Sequence, residues 1–210
     1  MVGPNESRLV SSIWEDALVA STDDLPLTRA ESADAWHAWL RRHHASAPGT
    51  WLMIARKASG LASVTRVEAV KEALCWGWID GQGAKHDDDF SLIRFTPRRA
   101  RSKWSQVNVG YVAELEAAGR MQPAGIAQVE AAKADGRWDA AYSPPSSKVL
   151  PPELEVAFER DPAARAAFDA LSSANRFAVR YRIENSKRPE TKARHVAKTL
   201  EMLARGETYH

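Results

Sequence analysis

The run YSPPSSKVLPP, residues 142 to 152, holds four prolines and three serines in eleven positions. Proline has no amide donor and its ring clashes with the preceding helical turn, so neither a helix nor a central strand runs through such a stretch. Its composition is that of a linker. It divides the 210 residues into an arm at 1–27, a core domain at 28–141, the linker at 142–152 and a helical region at 153–210.

Upstream of the break the pattern alternates between helices and strands. Thr28 and Glu31 have the spacing of a capping box, and the helix they open places Ala33, Trp36 and Leu40 on one face with Trp39 beside them. That helix ends near His43 and His44, before Pro48 and Gly49. TWLMIA, 50 to 55, reads as a buried strand. Thr65 and Glu68 form a second capping box, opening a helix that turns Val67, Val70 and Leu74 inward and is closed by Gly77 as a left-handed cap. A strand follows at WIDGQ and another at FSLIRF, residues 90 to 95, with Asp87 to Asp89 as the hairpin loop between them.

After Pro97 the chain reads as helical. Segments 105–118 and 123–135 each stop at a glycine, Gly119 and Gly136, followed by an arginine and a large apolar residue. Beyond the prolines, helices are expected at 152–159, 162–172, 174–184 and 189–205, the last burying Ala193, Val196, Ala197, Leu200 and Leu203. Residues 1–27 read as a loosely ordered arm with room for one short helix. The expected class is α+β, with a small three-stranded, mainly antiparallel sheet covered by helices and a C-terminal helical segment.

Composition narrows the function classes. A hydrophobic fraction of 44% and a charged fraction of 27% are ordinary for a globular chain. A domain of this size buries roughly 70% of its unfolded surface and needs no metal or disulfide staple. The single cysteine, Cys75, allows no internal disulfide and fits a reducing compartment. Residues 1 to 20 include Glu6, Glu15 and Asp16 and lack the apolar core of a signal peptide. No apolar run approaches the ~20 residues that span a bilayer, so the expected setting is the cytoplasm, without a membrane partner. A net charge of +2 does not mark a nucleic-acid protein. Eight tryptophans, at 14, 36, 39, 51, 76, 78, 104 and 138, are read mainly as core filling.

Most reactive groups lack company. His43 and His44 are adjacent and project about 100° apart on a helix, so they do not share an ion. HDDDF offers one imidazole and three carboxylates, but consecutive residues rarely converge and no calcium-loop spacing follows. No metal site is expected. Cys75 stands at a helix end, where the macrodipole disfavours a thiolate. GWIDGQG leads from helix into strand, so its amides do not gather at a helix start, and no dinucleotide or other cofactor is expected.

The basic block RFTPRRARSKWSQVN is the informative segment. Arg94, Arg98, Arg99, Arg101 and Lys103 lie in a stretch, Phe90 to Ala113, with no acid. They stand directly before a helix expected to start near Trp104 or Ser105. Arginine forks and a helix N-terminus both favour an oxyanion. In an alternating strand Trp78 and Asp80 face one side and Ile79 the other. Two readings follow: the arginines pair with Asp80 or the aspartate run and brace the fold, or they hold a small anionic ligand beside Trp78 and Trp104. A nucleic-acid surface combining the block with Arg176, Arg180, Arg182, Lys187 and Arg188 is a third, and acid–base catalysis by Asp80 or His86 a fourth.

EALCWGWIDG, then Lys85 and acidic residues, then RFTPRRARSKWSQVN, resembles the signature of the YdeI/OmpD-associated family, also called bacteriocin-protection proteins. WLMIARKASG, GRMQPAGIAQVEAAKADGRW and KRPETKARHVAKTLEML fit the same pattern, and the likeness spans roughly residues 30 to 206. Trp76 departs from it, standing where such sequences commonly have Phe. The resemblance implies a cytoplasmic bacterial protein linked to envelope or stress tolerance, with no established reaction and so no catalytic residues. The motif positions it carries over are Trp78, Asp80, Gly81, Lys85, Arg94, Pro97, Arg98, Arg99, Ser102, Trp104 and Asn108, of which all but Gly81 and Pro97 are expected ligand contacts.

Overall fold

In a computed structural model of the protein, which describes residues 25–144 and 146–209, eight helices and one sheet are present among the described residues. Residues 1–24 of the expected arm at 1–27, with Trp14 and the expected short helix, lie outside them, and the end of that arm, Leu27, is already in the sheet. Four strands, β1 (Leu27–Arg29), β2 (Thr50–Ala55), β3 (Trp78–Lys85) and β4 (Phe90–Pro97), lie in the order β1-β2-β4-β3. β1 runs parallel to β2, and the other two pairings are antiparallel. The sheet is therefore mixed and four-stranded, not three-stranded.

The extra strand escapes sequence reading because it is three residues long, too short to show a period. Thr28 sits in it rather than at a helix start. The Thr50 hydroxyl donates to the Pro26 carbonyl at 2.8 Å, so its 2.8 Å contact with Thr28 must be accepted from the Thr28 hydroxyl. The cap of α1 (Ala33–His43) is instead Ser32, whose side chain accepts from the Ala35 amide. At α2 (Arg66–Cys75) the expected capping box is present in both directions between Thr65 and Glu68.

Helices α1 and α2 cover one face of the sheet, burying Trp36, Leu40, Ala69, Leu74, Trp78, Leu52 and Phe95 in one core. The Trp36 indole donates to the Ala69 carbonyl at 3.1 Å, drawing the alanine side of α2 inward. Val67, expected inside, is 49% exposed as a result. Next come α3 (Gln106–Ala117) and α4 (Pro123–Ala134), each ending before a left-handed glycine: Gly119 at φ 63° and Gly136 at φ 76°.

The remaining helices, α5 (Pro152–Arg160), α6 (Pro162–Ala170), α7 (Ser173–Glu184) and α8 (Pro189–Ala204), enclose a second core around Leu154, Phe158, Phe168, Val179 and Ile183. α8 buries Val196, Thr199, Met202 and Leu203, while Ala193 and Ala197 are exposed. The inward stripe is rotated because the bulky residues, not the alanines, fill the space against α5 to α7. Between the cores the proline-rich stretch is tied down. Arg180 of α7 donates to the carbonyls of Pro144 at 3.3 Å and Val149 at 3.4 Å. No helix among the described residues is long and apolar enough to cross a membrane.

Candidate anion site

Gly77 sets the corner that positions the arginine block. At φ 74° it turns the chain out of α2, and its carbonyl accepts the Arg98 amide at 2.9 Å. Arg98 then runs back under Trp104, its guanidinium carbon 3.5 Å from the indole centroid, and its Nη1 donates to the Lys103 carbonyl at 3.2 Å. The residue is 5% exposed. Its Nε and Nη2, together with Trp104 Nε1, are buried with no hydrogen-bond acceptor. Nε and Nη2 form the side-on edge of a guanidinium, the edge that grips two oxygens of a carboxylate or phosphate.

Burial pushes the Arg98 guanidinium down to about 10, with the field of Asp80 opposing that shift. It therefore remains charged at neutral pH. The unfolded chain keeps this proton to higher pH, so the burial costs stability at neutral pH and the cost is relieved as the pH rises past about 10. Asp80 does not pair with Arg98 directly. Its carboxylate is bonded by Arg66, at the start of α2, at 3.3 Å.

The other expected contacts separate. Trp78 is 1% exposed and donates to the His44 carbonyl at 3.0 Å, as a core residue. Arg94 lies opposite Trp51 and alternates with Phe95, so it occupies the sheet face turned away from α1 and α2; its buried Nε also has no acceptor. Arg99 is exposed, and its amide donates to the Ser102 hydroxyl at 3.0 Å, closing a turn. Asn108 is buried in the first turn of α3, its amide donating to the cap residue Ser105. Lys85 lies far along β3, its side chain 73% exposed, beside Asp88 and a shallow groove of about 340 Å³ that Ile54, Arg66 and Ser91 also line. Neither Arg98 nor Trp104 reaches that groove.

The structure adds neighbours that spacing did not reveal. Tyr142, the first residue of the proline-rich run, bridges to Ser105, and its ring meets Tyr181 of α7 edge-on at 5.1 Å. Lys103 lies 5.0 Å over the Tyr181 ring. Arg137, from the second glycine-arginine cap, donates to the Ser102 carbonyl at 3.0 Å. Arg98, Lys103 and Arg137 thus gather where the two cores meet. Of the basic residues expected on a nucleic-acid surface, Arg180 is buried and Arg182 lies 3.8 Å over the Tyr209 ring.

The remaining reactive groups pack or bond locally. His43 packs on Trp39 and His44 on Trp76, in different directions. Asp87 accepts the amides of Asp89 and Phe90, which holds its carboxyl below the usual range and builds the hairpin tip; His86 lies beside it. Among the described residues no group of three or more His, Cys, Asp or Glu is placed to hold a metal ion. Cys75 is fully buried, and burial, reinforced by Glu72, pushes its thiol up to about 11. Alkylation by iodoacetamide at pH 8 is expected to run at least ~100-fold slower on the native chain than on the urea-unfolded chain. Comparable rates would show that Cys75 is reachable in the native state.

Two family models match the chain. Residues 28–128 match one described as a domain of unknown function (DUF8412). Residues 148–206 match the one described as Bacteriocin-protection, YdeI or OmpD-Associated. The tryptophan and arginine motif therefore falls in the first match, and the second covers α5 to α8. No curated protein and no solved structure matches the chain.

Proposed function

From the premise that the chain carries a YdeI/OmpD-associated domain at residues 148–206, we propose that it is a cytoplasmic bacterial tolerance protein, for stress or bacteriocins, that works by binding a small anion at Arg98. One observation carries this reading: a charged, 5%-exposed guanidinium whose side-on edge has no acceptor. A buried unpaired donor costs about 1–3 kcal/mol, so a chain that keeps one at a helix start has a use for an acceptor there. Trp104 stacks on the same group and holds it flat. Lys103 adds positive field, Arg137 is paired with Asp135 at 2.7 Å, and Asp80 is already bonded by Arg66. Of the residues expected to contact the ligand, Arg98 and Trp104 form its centre with Asn108 in the first turn of α3 beside them, while Trp78, Arg94, Arg99 and Lys85 stand apart.

The test is thermal unfolding of wild type and Arg98→Met in phosphate, short carboxylates and chloride at matched ionic strength. Methionine keeps the unbranched apolar stem and loses the guanidinium with its charge. It forfeits the stacking and one hydrogen bond but removes the unpaired donors, so the variant is expected to match or exceed wild type by up to ~2 kcal/mol without ligand. Wild type is expected to gain melting temperature in an oxyanion, and the variant is not. An equal response in both proteins, or none in wild type, ends the reading.

A further inference from the structure

Tyr142 lies across the start of α3 as a strap. Its amide donates to the Trp104 carbonyl at 3.0 Å, and its own carbonyl accepts the Gln106 amide at 3.0 Å. Gln106 is the first residue of α3, and its amide is among the donors a helix leaves without an internal partner. A neutral carbonyl thus occupies the positive end of a helix, where an oxyanion would be the stronger acceptor. The strap also lies beside the arginine. Arg98 Nη1 donates to the Lys103 carbonyl, the peptide group just before the Trp104 carbonyl that the Tyr142 amide holds, and the Arg98 edge is shut away from water.

An anion therefore reaches that edge only when something moves. Trp104 is 2% exposed and packed against Trp138 in the first core, and Asp80 is tied to Arg66. The strap is held by three backbone hydrogen bonds, counting the Ala141 amide to the Trp138 carbonyl at 3.2 Å, by a side-chain hydrogen bond between Tyr142 and Ser105, and by ring contacts with Tyr181 at 5.1 Å and Phe177 at 6.3 Å. Residues 141–144 are only partly buried, whereas Trp104 is buried, and the less buried element opens first. Its far end runs into α7, where the Ser143 amide donates to Glu184 at 3.3 Å and Arg180 holds the Pro144 carbonyl.

We propose that the strap at residues 141–143 is a displaceable gate over the Arg98 site, so that a small oxyanion and the Tyr142 carbonyl compete for the start of α3, and binding is passed to the C-terminal helices. This rests on the anion reading above. The gate makes the site's affinity depend on how firmly α7 holds the strap, because the binding-competent state is the one with the strap lifted. Conversely, a bound oxyanion loosens the contact between the strap and α7.

Calorimetric titration of full-length wild type, Tyr142→Ala and Arg98→Met with inorganic phosphate, and in a parallel arm with malonate, tests this. Tyr142→Ala removes the ring contacts that hold the strap and is expected to bind one of the two probes about tenfold more tightly than wild type. The probe that does so identifies the site as one for phosphate or for carboxylate. Arg98→Met is expected to bind neither. Should Tyr142→Ala fail to fold, hydrogen exchange on wild type gives the same answer: the probe is expected to speed exchange at the Tyr142 and Ser143 amides and leave Val179 and Ile183 unchanged. Affinity within twofold of wild type in Tyr142→Ala, or unchanged exchange at Tyr142 and Ser143 with probe bound, overturns the gate and leaves the anion site standing. Binding that survives Arg98→Met, or no binding to any of the three proteins, overturns the anion site itself.

Discussion

Gly125→Ala is expected to lower stability by about 3 kcal/mol, although alanine is the better helix former. In an exposed helix interior the exchange stabilises by up to ~1 kcal/mol, because glycine loses more backbone freedom on folding. Gly125 lies in the first turn of α4, against the last turn of α2. A Cβ there would stand 2.3 Å from the Cys75 carbonyl oxygen and 2.6 Å from that of Leu74. Both are backbone atoms at a helix end and cannot rotate away, so α4 must shift as a body and overpacking outweighs propensity. Gly77 locks the same contact from the other side, since its Cβ would meet the Ala124 carbonyl at 2.8 Å. Thermal unfolding is expected to show a melting temperature roughly 6–12 °C lower for a chain of this size. Gly110→Ala is the control: nothing lies within 4 Å of a Cβ there, and that variant is expected to melt at or above wild type. Gly125→Ala melting with the control would show that α2 and α4 do not approach so closely. Because the Gly77 carbonyl anchors the Arg98 amide, the same variant also weakens the arginine site.

The helices were legible because their signals are local. The Thr65 and Glu68 box, Pro123, Pro152, Pro162 and Pro189 at helix starts, and Gly119 and Gly136 past helix ends each act within one turn. What failed depends on partners distant in sequence. β1 exists only because β2 lies 24 residues on to pair with it, and the cap that the Thr28–Glu31 spacing suggests is supplied by Ser32. Val67, Ala193 and Ala197 have helical spacing but face water, because periodicity gives a stripe and neighbours decide its rotation.

The site divides the same way. Arg98 and Trp104 are near neighbours in sequence and stack in the fold, just before the helix start expected near Trp104 or Ser105. Arg66, Arg137, Tyr142 and Tyr181 complete the surroundings from four other segments, and no spacing rule joins them. Arg94 and Arg98 are close in sequence, but Arg94 lies within β4 on the face opposite Phe95, whereas Arg98 has left the strand after Pro97 and turns back to Trp104. The acid-free character of the block was the informative signal. It meant that an arginine there would need a distant acid, and the nearest one, Asp80, is held by Arg66.

Arg120→Ala is expected to cost about 2–3 kcal/mol, through a carboxylate rather than through the arginine. Glu72 lies on the inner side of α2 with its side chain 2% exposed. One carboxylate oxygen accepts from Arg120 Nη2 and the other lies 2.9 Å from His37 Nδ1. The arginine is 47% exposed, so on its own it would return to water at little loss. Removing it leaves Glu72 buried with a single partner that is charged only when protonated. Breaking a fully buried pair costs about 3–5 kcal/mol, and the half-exposed arginine lowers the figure here. Glu72→Gln keeps the shape and removes the charge, so in the Arg120→Ala background it is expected to recover about 1–2 kcal/mol of the loss. Urea unfolding of wild type, the two single variants and the double variant measures that coupling, with the denaturant slope unchanged across the set. Additive losses would mean that Arg120 and Glu72 do not interact in solution, and that the α1–α2 layer over the sheet holds its buried acid by His37 alone.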